Sequence, residues 1–204
     1  MTRLRKVVLR FLSVNCYILS NDGSDRALIV DPGSSPDMIF DAVERAGLAP
    51  EGILLTHAHV DHISAVPEVA ARYHAPVWIH KDDIPLYFSP DNALKPWMDA
   101  AEALPEPVSE CPTAGMDFQI IHTPGHSRGS VCFYFRNDGF LLSGDTLFED
   151  SYGRTDFPGG SEEDIFDSIR NKLLVLPEDV VVYPGHGFAT TIGRERGNPL
   201  FRRG

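Results

Sequence analysis

The chain has 204 residues and carries 18 Lys and Arg against 29 Asp and Glu, a formal net charge of −11. That balance argues against a nucleic-acid partner, because phosphate binding needs a basic face, and it disfavours long-range capture of anions. The length suits one domain, 1–204, with a sizeable core, and no apolar run approaches a membrane span.

Val7 to Leu12 and Val14 to Leu19 read as opening strands, although Arg3, Arg5, Lys6 and Arg10 superficially suggest a targeting peptide. Arg10 interrupts the apolar run and no small-residue cleavage site follows, so no signal peptide is expected. Asn21-Asp22-Gly23 then separates Val14–Leu19 from Ala27–Val30, a hairpin signal because tight turns need positive φ. Ser35 to Ala46 predicts a helix, with Pro36 at an early position and Gly47 as its stop. Ile53-Leu54-Leu55 leads into a loop, and Ser64 to Tyr73 predicts a second helix whose Pro67 is tolerable in the first turn. Pro76 to His80 reads as a short strand, and Ile84 to Pro107 as a Pro-rich helical insertion over one edge. Phe118–Ile121, Val131–Phe135 and Phe140–Ser143 follow as strands, the last two separated by a second turn, Asn137-Asp138-Gly139. Ser161 to Leu174 predicts a capped helix with Glu162, Glu163 and Asp164 at its positive end, and Val180 to Tyr183 the last strand. No internal repeat is apparent, and Arg194, Arg196, Arg202 and Arg203 read as a solvated basic tail.

Cys16, Cys111 and Cys132 are widely spaced, odd in number and without a C-x-x-C. They predict buried, reduced thiols and a cytoplasmic protein.

Seven side chains stand out on loops after these apolar runs. Thr56-His57-Ala58-His59-Val60-Asp61-His62 crowds three imidazoles and a carboxylate. His126 follows Thr123-Pro124-Gly125, Asp145 follows Ser143-Gly144, and His186 follows Tyr183-Pro184-Gly185. Imidazole and carboxylate without thiolate suit zinc first, with iron and manganese as alternatives. Two cations roughly 3.5–4 Å apart need an anionic bridge, for which Asp145 is the candidate. The expected sets are His57, His59, His126 and Asp145 on one ion, and Asp61, His62, His186 and Asp145 on the other. A shared water, its pKa lowered to roughly 7, is then the nucleophile, and no side-chain nucleophile is required. Asp31 is expected to accept a proton from a ligand histidine or from the loop backbone, or else to serve only as the turn residue of Asp31-Pro32-Gly33. Tyr152 and Arg154 are expected beside the site, Arg154 receiving a substrate carboxylate or, as the structural alternative, pairing with Asp156 or Glu149. His74, His80 and His122 fall outside the pattern and read as structural.

The His57–His62 motif, with His126, Asp145 and His186 in order, resembles the metallo-β-lactamase fold superfamily over nearly the whole chain. The resemblance implies an α/β (α+β) protein, a four-layer αββα sandwich with a dinuclear site at one edge. Ser143 to Phe148, Gly153 to Gly160 and Asn198-Pro199 are similar to glyoxalase II (hydroxyacylglutathione hydrolase), above all to its short, single-domain bacterial relatives. That likeness implies hydrolysis of small-molecule hydroxyacyl thioesters such as S-lactoylglutathione. The two-domain enzymes extend into a C-terminal helical domain, and Arg154 and Asp156 stand where they carry a Lys and a Tyr. The thiol carrier is therefore left open, as is the oligomeric state. Zinc β-lactamases place a Cys where Asp145 stands, which disfavours penicillin hydrolysis. An iron-dependent persulfide dioxygenase, which shares Gly153-Arg154-Thr155-Asp156-Phe157, is the first alternative. A metal-binding protein of the same fold without activity is the second.

Overall fold

The computed structural model describes residues 1–202. The chain divides into two compact units, Met1–Asp117 and Phe118–Gly204.

The first unit is built on a five-stranded sheet of order β1-β2-β3-β4-β5. Its strands are β1 Thr2–Val8, β2 Asn15–Asn21, β3 Arg26–Val30, β4 Ala49–Leu54 and β5 Val77–Trp78. β1, β2 and β3 form an antiparallel meander, whereas β3, β4 and β5 run parallel. The parallel pairs require crossovers. Helix α1 (Pro36–Ala46) makes the first, and α2 (Val60–Ile63) with α3 (Val66–Tyr73) makes the second. Ile39 and Val43 of α1 and Val66 and Val69 of α3 pack on Cys16, Ile18, Ala27, Ile29 and Ile53. The alternate strand residues Tyr17, Leu19, Leu28, Val30 and Leu54 are equally buried, which is why these strands read as continuous apolar runs.

Several boundaries differ from the sequence reading. β1 lies earlier than Val7–Leu12, because Leu12 and Ser13 take positive φ values of 49° and 54° and turn the chain. The helix expected from Ser64 starts at Val60 and breaks before α3, where Pro67 has no N–H to continue the ladder. A 3₁₀ turn, Lys81–Asp83, precedes the insertion, which holds helix α4, Ile84–Tyr87; the rest of it is irregular apart from an isolated Leu94–Met98 bridge. Buried Tyr87 anchors it, its hydroxyl donating to the Pro105 carbonyl at 3.2 Å.

The second unit has β6 Gln119–His122, β7 Val131–Phe135, β8 Phe140–Gly144, β9 Leu147–Phe148, β10 Ser151–Tyr152, β11 Val181–Pro184 and β12 Thr190–Thr191. β9 and β10 form a small ribbon, and the main sheet has the order β12-β11-β8-β7-β6. Helix α5 (Glu162–Ser168) runs into a π-helical turn, Ile169–Leu173, where the sequence predicts one regular helix. Ile165, Ile169 and Leu173 pack on Cys132, Tyr134, Leu141 and Val182. Helix α6 (Ile192–Gly197) replaces the expected solvated tail. Arg194 pairs with Glu149 and Asp150, and Arg196 with Glu178 and the Leu174 carbonyl; Arg203 lies outside the described residues.

The two units repeat one topology, which the sequence does not display as a repeat. Each is an antiparallel three-strand meander whose last strand crosses through a helix to a parallel neighbour: β1-β2-β3-α1-β4, then β6-β7-β8-α5-β11.

Candidate metal centre

In the first unit the chemistry gathers at the C-terminal ends of the parallel strands β3 and β4, where open α/β sheets bind ligands. Asp31 follows β3 and Thr56 and His57 follow β4, so the strand pairing itself brings them together. The Asp31 carboxylate accepts from the Thr56 amide (2.8 Å), the Thr56 hydroxyl (2.6 Å) and His62 Nδ1 (3.1 Å). The Thr56 hydroxyl spends its proton on Asp31, so at its 3.0 Å contact with His57 Nδ1 it is the acceptor. This network assigns the proton to Nδ1 on both His57 and His62 and makes Nε2 the basic nitrogen. Asp31 thus serves both the loop backbone and a histidine, as expected.

His57, His59, Asp61 and His62 come together as the sequence predicts. The His57 ring lies 4.9 Å from His59 and 4.2 Å from His62, centroid to centroid, and His62 Nε2 is 3.8 Å from Asp61 Oδ2. All four residues are buried. Gly33 makes the arrangement possible, because a methyl group there would overlap the Asp61 carbonyl oxygen.

In the second unit, parallel pairing of β8 with β11 aligns the loops that begin at Asp145 and His186. Gly185 donates to the Gly144 carbonyl at 2.8 Å, joining the two strand ends. Asp145 Oδ2 lies 3.6 Å from His126 Nε2 and 3.5 Å from His186 Nε2. His126 Nδ1 bonds the Arg154 carbonyl at 2.7 Å, which again makes Nε2 the basic nitrogen. Gly153 is the counterpart of Gly33, since a methyl group there would overlap the Asp145 carbonyl oxygen.

These distances suit a cation better than a direct hydrogen bond. Ligands held at roughly 2.0–2.1 Å around a tetrahedral ion sit about 3.4 Å apart. Hydrogen bonds of this kind are shorter, at roughly 2.7–3.2 Å. The buried imidazoles and carboxylates, with Nε2 presented on His57, His62 and His126, therefore fit a divalent metal.

Arg154 pairs with Asp156, the structural alternative to receiving a substrate carboxylate. Its guanidinium is bidentate to Asp156 (2.7 and 2.6 Å) and lies 3.9 Å over the Phe157 ring. The Arg154 pairing pushes the Asp156 carboxyl down to about 2. Tyr152 packs its ring 4.8 Å from Phe166 and places its hydroxyl 3.5 Å from Glu162. Thr56 and the Arg154 carbonyl are the functional groups missed: the first was visible beside the histidines, the second had no side-chain signal.

The sequence model of the Metallo-beta-lactamase superfamily matches residues 9–186. The chain belongs to the metallo-β-lactamase superfamily. The structure of BLEG-1, described as a B3 metallo-beta-lactamase, superposes with a TM-score of 0.87 at 37% identity, covering 98% of this chain and 99% of that one. TTHA1623 in a di-iron-bound form superposes with a TM-score of 0.85 at 40% identity, over 96% and 99% of the two chains. Among curated relatives, the hydroxyacylglutathione hydrolase GloC of Haemophilus influenzae is 34% identical over 91% of this chain and 92% of its own. The superfamily's mixed α/β fold is thus the fold of this chain, with the two sheets and associated helices described above.

Proposed function

We propose that this superfamily member is a cytoplasmic metal-dependent hydrolase that cleaves hydroxyacyl thioesters. His57, His59, Asp61, His62, His126, Asp145 and His186 would form one ligand set for two divalent ions. The observation that carries this reading is the Asp145 carboxylate, with one oxygen within 3.6 Å of both His126 and His186 Nε2. Neither histidine group alone supplies enough donors for two four-coordinate ions, so both are needed. Two bound ions would supply an activated water and a Lewis acid for the substrate carbonyl.

The chain's own residues prepare that chemistry. Asp31, through Thr56 and His62, and the Arg154 carbonyl, through His126, hold the imidazoles in one tautomer and orientation. Asp61 and Asp145 offset cationic charge. Arg154 would receive a substrate carboxylate by exchanging Asp156 for it, with Tyr152 nearby in sequence. A thiol of pKa roughly 8.5 departs as thiolate near neutral pH, so a thioester places no demand for a proton donor.

GloC supports a thioester, and the di-iron neighbour supports iron beside zinc as the metal. BLEG-1 favours β-lactam hydrolysis as a second reading, against the expectation drawn from Asp145 in place of Cys. Metal-loaded protein assayed against S-lactoylglutathione, a chromogenic cephalosporin and glutathione persulfide separates these activities. Turnover dominated by S-lactoylglutathione is expected. Turnover confined to the cephalosporin, or sulfur-dependent oxygen uptake, would overturn the thioesterase assignment.

A further inference from the structure

We propose that Asp83 and Asn92 are positioning residues that set the metal affinity of the His57–His59 loop from the adjoining irregular segment. The inference rests on the reading of His57 and His59 as ligands, and it concerns residues outside that set.

Past Leu55, whose amide still bonds the Trp78 carbonyl of β5 at 3.0 Å, the loop between β4 and α2 leaves the ladder, yet its peptide groups are buried and must be satisfied. Asp31 satisfies the Thr56 amide, and two further side chains serve the peptide groups around His59. Asp83, 1% exposed, accepts from the Ala58 amide at 2.9 Å. Asn92, 6% exposed, accepts from the Val60 amide at 3.1 Å and donates to the Ala58 carbonyl at 2.7 Å. The Asn92 amide therefore spans the two peptide groups on either side of His59 as a neighbouring strand would. His59 itself is extended, with φ −60° and ψ 144°.

These contacts hold the His59 end of the loop, while Asp31 holds the Thr56 and His62 ends. Asn92 is anchored in turn by donating to the Leu86 carbonyl at 3.2 Å, and Asp83 by its own amide on the His80 carbonyl at 3.0 Å. A loop fixed in this way pays less ordering entropy when a ligand arrives. The carboxylate is the stronger acceptor of the two, being charged.

The test is zinc titration of the metal-free full-length chain against a competing chelator, with thermal denaturation of each metal-free protein alongside. Asn92→Ala and Asp83→Ala should each weaken zinc about tenfold or more, the range for groups that orient metal ligands. Asp83→Asn keeps an acceptor oxygen and should recover most of the loss. Alanine variants that bind zinc as the wild type does would overturn the positioning role while leaving the proposed function standing. A wild type that binds no zinc, iron or manganese would overturn both. Should an alanine variant fail to fold, amide exchange in the metal-free wild type decides: slow exchange at Ala58 and Val60 supports a preformed loop, and exchange at the rate of exposed turns contradicts it.

Discussion

Single carboxylates carry much of the organisation here. Asp31 serves three donors at once, and its φ of 51° shows that the backbone bends to deliver it. Asp156 illustrates a different use of charge. Its carboxyl is pushed down to about 2 by the Arg154 hydrogen bonds, from an ordinary value of 3.8. A depressed carboxylate stabilises the fold above its unfolded pKa and loses that contribution as pH falls through its folded value. The Arg154–Asp156 pair should therefore be intact above about pH 4 and lost as pH approaches 2. Carbon-detected NMR titration of Asp156 checks this, and a midpoint near 4 would contradict the pairing. Under the proposed function, Asp156→Asn should also release Arg154 and lower KM for carboxylate-bearing thioesters relative to neutral ones; a uniform change in both would assign Arg154 a structural role. The thiols follow from burial in the same manner. Cys16 and Cys132 are buried, their pKa values raised by desolvation, the second up to about 11, and partly exposed Cys111 is pushed up to about 12. Cys111 is thus less buried than expected, whereas Cys16 and Cys132 should resist alkylation at neutral pH in the folded protein, and rapid labelling of either would contradict their burial.

Elements were legible where local chemistry is self-contained. The Asn21-Asp22-Gly23 and Asn137-Asp138-Gly139 turns gave both hairpins, with Gly23 and Gly139 at φ 75° and 72°. Ser161 announced α5, and its hydroxyl does accept from the Asp164 amide at 3.2 Å. Ser161→Ala should cost about 1 kcal/mol in urea denaturation; an unchanged midpoint would mean that the cap adds nothing. What was not legible depends on distant partners. β12 and α6 have little periodicity of their own. They are held because Glu195, 0% exposed, accepts from the Thr190 hydroxyl at 2.6 Å and from the Asp150 amide. The π-helical turn after α5 likewise leaves no mark in composition. Gly33 and Gly153 were visible as letters, but their purpose, letting a backbone pass close to Asp61 and Asp145, needed the folded chain. The candidate ligands were the most readable feature, since donor chemistry restricts them to a few residue types after apolar strands.

At the scale of the molecule, two units of the same topology each place acidic and imidazole groups after corresponding strands: Asp31 after β3 and Asp145 after β8, His57 after β4 and His186 after β11. The repeated hairpin turns are the trace of that topology in the sequence. In the first unit the aspartate supports His62 directly and His57 through Thr56; in the second, Asp145 lies within reach of two imidazoles. If the proposed ligand set is right, metal stabilises the native chain by mass action, about 2.7 kcal/mol at a free concentration one hundred times Kd. Chelation should then lower Tm reversibly, and a Tm indifferent to chelator would contradict it. Asp145→Ala should reduce metal content and thioester turnover together. The most direct measurement is the metal-to-chain ratio of the wild-type protein after saturation with zinc or iron and removal of loosely held ions. Two ions per chain are expected; a ratio of one or none would contradict the dinuclear centre.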